Sequence, residues 1–216
     1  MTRSYDNIFL EDAMFSLGAM LDYAVNTCKE DLSLFYSRFL ASGIATQISI
    51  GNPKYLSGMS GIEIAKEVAR RTGDSLTDMN SIISLGSPEF WTGWTMAYIQ
   101  WYFNTDFNTL NLKGLTISEL HSRYTVLHEA DISKSLAFAY SVLNSFKKPL
   151  KAARRNSGMS QEELARQSGV PLRTIRAYEQ NQLSPANGGT AGILNISKTI
   201  GCPIDSLLPI ENGRMF

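Results

Sequence analysis

The stretch SQEELARQSGVPLRTIRAYE, residues 160–179, constrains the fold more than any other. Apolar positions recur at three- and four-residue steps on both sides of Gly169, which predicts two short helices joined by a tight turn. Glycine takes a positive φ at low cost, so Gly169 permits the reversal. Ser160, with Glu163 three residues on, reads as a capping box for the first helix. In the second, predicted over 171–180, Ile175 and Tyr178 form an apolar stripe. Leu172, Arg173, Arg176 and Ala177 face away from it. An outward face that is cationic and partly apolar calls for a partner.

The flanking segments also read as helix. Residues 7–28 place Ile8, Met14, Phe15, Leu17, Leu21 and Val25 on one stripe, with Asp6 as N-cap. Residues 31–41 repeat the pattern with Leu32, Phe35, Phe39 and Leu40. After a loop predicted over 49–61, Ser60 caps a helix over 61–71 that Gly73 stops. Ser87 and Pro88 open an aromatic helix running to about Asn104. A polar link follows, then Thr116 and Glu119 form a capping box for a helix over 117–124. A helix over 131–146 closes this part. Shorter helices are predicted over 150–156, 160–168, 171–180, 190–200 and 204–208. No segment alternates with period two, so the expected fold class is all-α.

Charge divides the chain. Residues 147–216 hold ten Lys or Arg against five Asp or Glu, a net of +5, and residues 1–146 hold ten against fifteen, a net of −5. This change of sign, at Lys147, Lys148 and Pro149, predicts two domains: an acidic one over 1–146 and a basic one over 147–216. The two cysteines, Cys28 and Cys202, make no disulfide framework, so a reducing, cytoplasmic setting is expected. The aromatic run over 90–103 falls short of the roughly 20 apolar residues that span a bilayer, so no membrane partner is expected. The start, MTRSYDNIFLEDAMF, carries acids where a secretory leader needs a cationic and then apolar stretch.

Five short helices between Leu150 and Leu208, with A-x-x-x-G-V between the second and third, resemble the phage-repressor and Cro-like (XRE) helix-turn-helix family. Gln161, Leu164, Ala165, Gly169, Val170, Ile175, Tyr178 and Glu179 carry the likeness. The resemblance implies a module that binds double-stranded DNA, with the third helix in the major groove. Ala165 is expected to be small because two helices cross there, with Leu164, Val170 and Ile175 fixing the crossing. Arg173 is expected to bond a guanine edge, Leu172 and Ala177 to meet thymine methyls, and Arg176 to serve base or backbone. Gln161, by family position, is expected to clamp a phosphate, with Lys148, Lys151 and Arg155 (and Lys147) adding sequence-independent attraction. Glu179 is the implied partner of a basic residue in the first helix, by position Arg154. The family often has glycine after the third helix; here EQNQLSPANGG follows, and Asn181 is expected to take the left-handed cap. A homodimer is expected, because two recognition helices about 34 Å apart read a two-fold symmetric operator.

The acidic domain resembles an accessory domain found ahead of repressor-type modules in Gram-positive bacteria, which implies architecture and no activity. His121 and His128 share no helical face, so no metal site is expected. Ser118, Glu119 and His121 lie close in sequence without a nucleophile elbow, and the Gly58/Gly61 loop lacks a phosphate-binding lysine. No enzyme activity and no cofactor are expected. Trp91, Trp94, Tyr98, Trp101 and Tyr102 recur at helical spacing, as core packing or as an aromatic pocket. Two functions remain open: a transcriptional regulator, read as a repressor, or an antitoxin whose first domain grips a toxin while the second represses the shared operon.

Overall fold

A computed structural model describes residues 4–76, 82–145, 149–180, 182–183 and 190–208. All regular structure among them is helical. The α-helices are α1 (Leu10–Asp22), flanked by a 3-10 turn over Asn7–Phe9 and a π-helical turn over Tyr23–Thr27, α2 (Leu32–Ala41), α3 (Ile44–Ser49), α4 (Pro53–Leu56), α5 (Gly61–Arg71), α6 (Pro88–Phe103), α7 (Phe107–Leu112), α8 (Ile117–His121), α9 (Tyr124–Leu127), α10 (Ile132–Ser145), α11 (Pro149–Asn156), α12 (Gln161–Ser168), α13 (Leu172–Glu179), α14 (Thr190–Ile200) and α15 (Ile204–Leu207). No helix among the described residues is long and apolar enough to cross a membrane. The chain forms two compact units, one of Met1–Asn111 with Leu115–Tyr140, the other of Leu112–Gly114 with Ser141–Phe216. Residues 146–148, where the charge pattern sets its boundary, lie outside the described residues.

In the first unit α1 lies against α5 and α6. Glycines let the backbones approach. A Cβ added to Gly93 of α6 would meet the Leu17 carbonyl oxygen, its carbon at 2.7 Å and Gly18 Cα at 2.9 Å. None of these backbone atoms yields as a side chain would. The buried Asp22 carboxylate then ties the start of α6 to the end of α1. It accepts bonds from Ser87 Oγ (2.6 Å), Ser84 N (3.0 Å) and Asn26 Nδ2 (2.8 Å). Phe35, Phe39, Phe107, Ile44 and Leu56 fill the interior around α2 to α4 and α7.

Several elements differ from the sequence reading. The loop expected over 49–61 contains α4, where Asn52 accepts from Lys54 N and Pro53 occupies the first turn. The polar link before Thr116 contains α7, where Asp106 accepts from Thr109 N. The helix expected over 117–124 breaks into α8 and α9. Ser60 and Glu63 cap each other reciprocally. At Thr116 only the hydroxyl half forms, because the Glu119 carboxylate pairs with Arg123 at 2.9 Å. Ile8 and Phe15 are exposed, so the inward stripe of α1 runs through Leu10, Met14, Leu17 and Leu21. On α6 the buried face is Phe90, Gly93, Met96, Ala97 and Ile99 with Thr92, Thr95 and Gln100. Trp91, Trp94, Tyr98, Trp101 and Tyr102 are half-buried along its flank.

All three tryptophans of the chain lie on α6, so tryptophan fluorescence reports the first unit. Gly93→Ala is expected to lower stability there by about 1–3 kcal/mol through overpacking. A urea transition followed by fluorescence checks this; an unmoved midpoint would show that α1 and α6 separate freely.

Candidate nucleic-acid interface

The second unit is built around Leu150, Leu164, Val170, Ile175, Tyr178, Ile193, Ile196 and Leu207. Ser160 opens α12 by accepting from Glu163 N at 3.0 Å. The expected capping box is half formed, because the Glu163 carboxylate turns to Arg166 and Gln167 instead. Gly169 ends α12 with φ of 69°, its N–H donating to the Ala165 carbonyl. Val170 is buried, and Pro171 stands in extended geometry ahead of α13 rather than inside it. Ala165 is partly buried against the core.

This turn leaves α13 with one face inward. Ile175, Tyr178 and Glu179 are buried, three and four residues apart. Glu179 is 2 % exposed and Arg154 8 %. Arg154 Nε donates to Glu179 Oε1 at 2.6 Å and Nη2 to Oε2 at 3.2 Å. Arg154 Nη1 donates to the Met159 carbonyl. Gln161 Nε2 also donates to Glu179 Oε2, at 2.6 Å. One carboxylate of α13 thus binds a guanidinium of α11 and an amide of α12. A forked pair of this kind is charge-assisted and orientation-specific.

The opposite face of α13 is open. Arg173 and Arg176 are exposed, with Leu172 and Ala177 half-buried beside them. Among the described residues Arg173 has no hydrogen-bond or ion-pair partner. Arg176 Nη2 donates to Glu162 Oε1 at 2.9 Å. Lys151 is half-buried and Arg155 exposed, both on α11. The structure thus assembles Gln161, Arg173, Arg176, Leu172 and Ala177 on the adjoining helices α12 and α13. Lys147, Lys148 and the Asn181 cap lie outside the described residues.

Sequence reasoning missed Glu162. It lies fourteen positions before Arg176, so no helical period links them. The first-turn acid run of α12 was its one local signal. Its carboxyl lies below the usual carboxylate range, first because its own backbone N–H bonds it, then because Arg176 does.

The candidate groups of the first unit disperse. Ser118 Oγ meets Ser33 Oγ at 2.6 Å, Glu119 pairs with Arg123, and His121 Nε2 lies 3.1 Å from Glu89 Oε1. His128 stacks on Tyr124. Among the described residues no group of three His, Cys, Asp or Glu side chains is placed to hold a metal ion. A cleft of about 520 Å³ opens beside the Gly58/Gly61 turn, edged by Asp12, Phe15, Leu56, Met59 and Ile62.

Residues 150–191 match the helix-turn-helix family model, a span from α11 to the start of α14. That model describes a DNA-binding helix-turn-helix of the XRE type. No curated protein and no solved structure matches the chain.

Removing one partner of the buried pair strands a charge. Arg154→Met or Glu179→Leu alone is expected to cost about 3–5 kcal/mol, and the double substitution less than either. Urea unfolding followed by circular dichroism on the three variants checks this. Additive losses would show that the two residues do not act as a pair.

Proposed function

We propose, from the helix-turn-helix over residues 150–191, that the chain is a sequence-specific transcriptional repressor reading the major groove with α13. The observation that carries this is the two-faced α13: its inner side is held by Ile175, Tyr178 and Glu179, while Arg173 stands exposed on the other. A helix fits that groove, and a guanidinium matches the guanine O6/N7 pair. In this reading Arg173 and Arg176 meet base edges, and Leu172 and Ala177 meet thymine methyls. Gln161, Lys148, Lys151 and Arg155 hold phosphates and set the register. Two copies form a homodimer that reads half-sites about 34 Å apart. Residues 1–146 are the dimerisation or partner domain, residues 147–216 the DNA-binding domain, and the setting is the cytoplasm, on the nucleoid.

A second reading makes the chain an antitoxin. The apolar cleft beside Phe15, Leu56, Met59 and Ile62 favours it, since that surface of the first unit offers a seat for a protein partner. The test withdraws the chain from cells that express its chromosomal neighbour; growth arrest supports the antitoxin and continued growth removes it.

Retardation of genomic fragments tests the DNA reading, with binding expected to weaken steeply as salt rises. Arg173→Ala is expected to lower preference for the selected operator by about 1–3 kcal/mol while sequence-independent affinity holds. An equal fall in both would remove Arg173 from base reading.

A further inference from the structure

Three acidic side chains lie on α12 and α13, and two of them have structural work. Glu179 is buried against Arg154 and Gln161. Glu163 engages Arg166 and Gln167 on its own helix. Glu162 differs. Among the described residues its one hydrogen-bonded side-chain partner from another element is Arg176, with Arg154 of α11 adding a weaker attraction, and both side chains of the pair are half exposed, 62 % and 50 %. An exposed pair of this kind adds little to stability. Yet it engages one of the two exposed arginines of α13. A carboxylate near duplex DNA also faces about one negative charge per 1.7 Å of helix axis. The first turn of α12 favours an acid here, but that does not require its carboxylate to engage Arg176, and an ion pair that stabilises little while opposing the partner's charge points to selectivity.

We propose that Glu162 is a specificity-determining positioning residue, a counter-charge that holds Arg176 off phosphates until a base edge displaces it. The inference rests on the DNA-binding reading above. While Arg176 stays on Glu162, its charge is matched inside the protein, and a passing phosphate gains no counterion release from it. A guanine edge offers two acceptors in the plane of the guanidinium fork, which a single carboxylate oxygen at 2.9 Å does not match. The exchange therefore favours guanine over backbone. Glu162 is at ease as an anion because the first turn of a helix favours negative charge. Glu162 thus suppresses sequence-independent binding and leaves operator binding less affected.

The test uses the full chain, a random-sequence duplex pool, and a duplex selected from that pool by the wild-type protein. Glu162→Gln is expected to bind the random pool more tightly. Its slope of log affinity against log salt should steepen by about 0.9, one added phosphate contact. Its advantage over wild type should therefore grow about threefold between 200 and 50 mM salt, and its operator-to-random ratio should fall. Glu162→Asp should restore the wild-type slope. In an Arg176→Gln background the steepening of the salt slope by Glu162→Gln should vanish, leaving only the smaller gain from removing the carboxylate's own repulsion of the duplex. An unchanged slope, or an equal gain in that background, would overturn the counter-charge role while wild-type binding left the parent reading intact. If the wild-type chain fails to bind duplex DNA in a salt-dependent way, the parent reading itself falls. Circular dichroism of each variant excludes a folding loss as the source of any change.

Discussion

The Glu179 carboxylate is the constraint from which the second unit takes its shape. It comes from α13, accepts two bonds from the Arg154 guanidinium of α11, and accepts a third from the Gln161 amide of α12. Apolar contacts among Leu164, Val170, Ile175 and Tyr178 supply the driving force for packing. Those contacts are non-directional, and a short helix can roll on an apolar seat. A forked ion pair is directional. It sets the rotation of α13 about its own axis, and that rotation decides which side chains look outward. Arg173 and Arg176 are exposed because Glu179 is not.

The first unit solves its packing differently. There the tight contacts are backbone to backbone, where Gly93 meets Leu17 and Gly18, and the directional element is the buried Asp22 at the mouth of α6. Its donors are a hydroxyl, an amide and a main-chain N–H, with no cation among them. Small residues therefore decide which face of α6 turns inward. Its tryptophans and tyrosines are displaced to the flank, where they stay half-buried, while Phe90 turns inward.

That difference explains what the sequence made legible. The helix-turn-helix was readable because each junction has its own local cue: Ser160 before the helix, Gly169 at the turn, and apolar residues three and four apart after it. The Arg154–Glu179 pair was readable only through family resemblance, since its partners are far apart in sequence. The inner face of α6 was not readable, because a helix apolar all round has no periodic stripe. Helices α3, α4 and α7 run for four to six residues. That is too few turns for a period to appear, and only caps such as Asn52 and Asp106 reveal them. Capping boxes were over-read at Thr116 and Ser160 because nearby Arg123 and Arg166 claim the glutamates, while Ser60–Glu63 forms in full.

Pairing also redistributes the net charge of the basic segment. Arg154, Arg166 and Arg176 each meet a glutamate of the same unit: Glu179, Glu163 and Glu162. Those three cations add little field at a distance. Among the described residues of α11 to α13, Lys151, Arg155 and Arg173 have no such acid. The excess positive charge of these three helices therefore comes from α11 and from Arg173 on the outward face of α13. Residues 147–216 carry a net of +5, yet little of it lies on α13 itself. A recognition helix covered in free cations would bind any duplex with equal ease, because phosphate attraction carries no sequence information. Matching one of the two α13 arginines to an acid leaves Arg173 as the one exposed cation of that helix without an acidic partner among the described residues; under the proposed DNA reading, this keeps general attraction on α11 and leaves sequence choice to geometry.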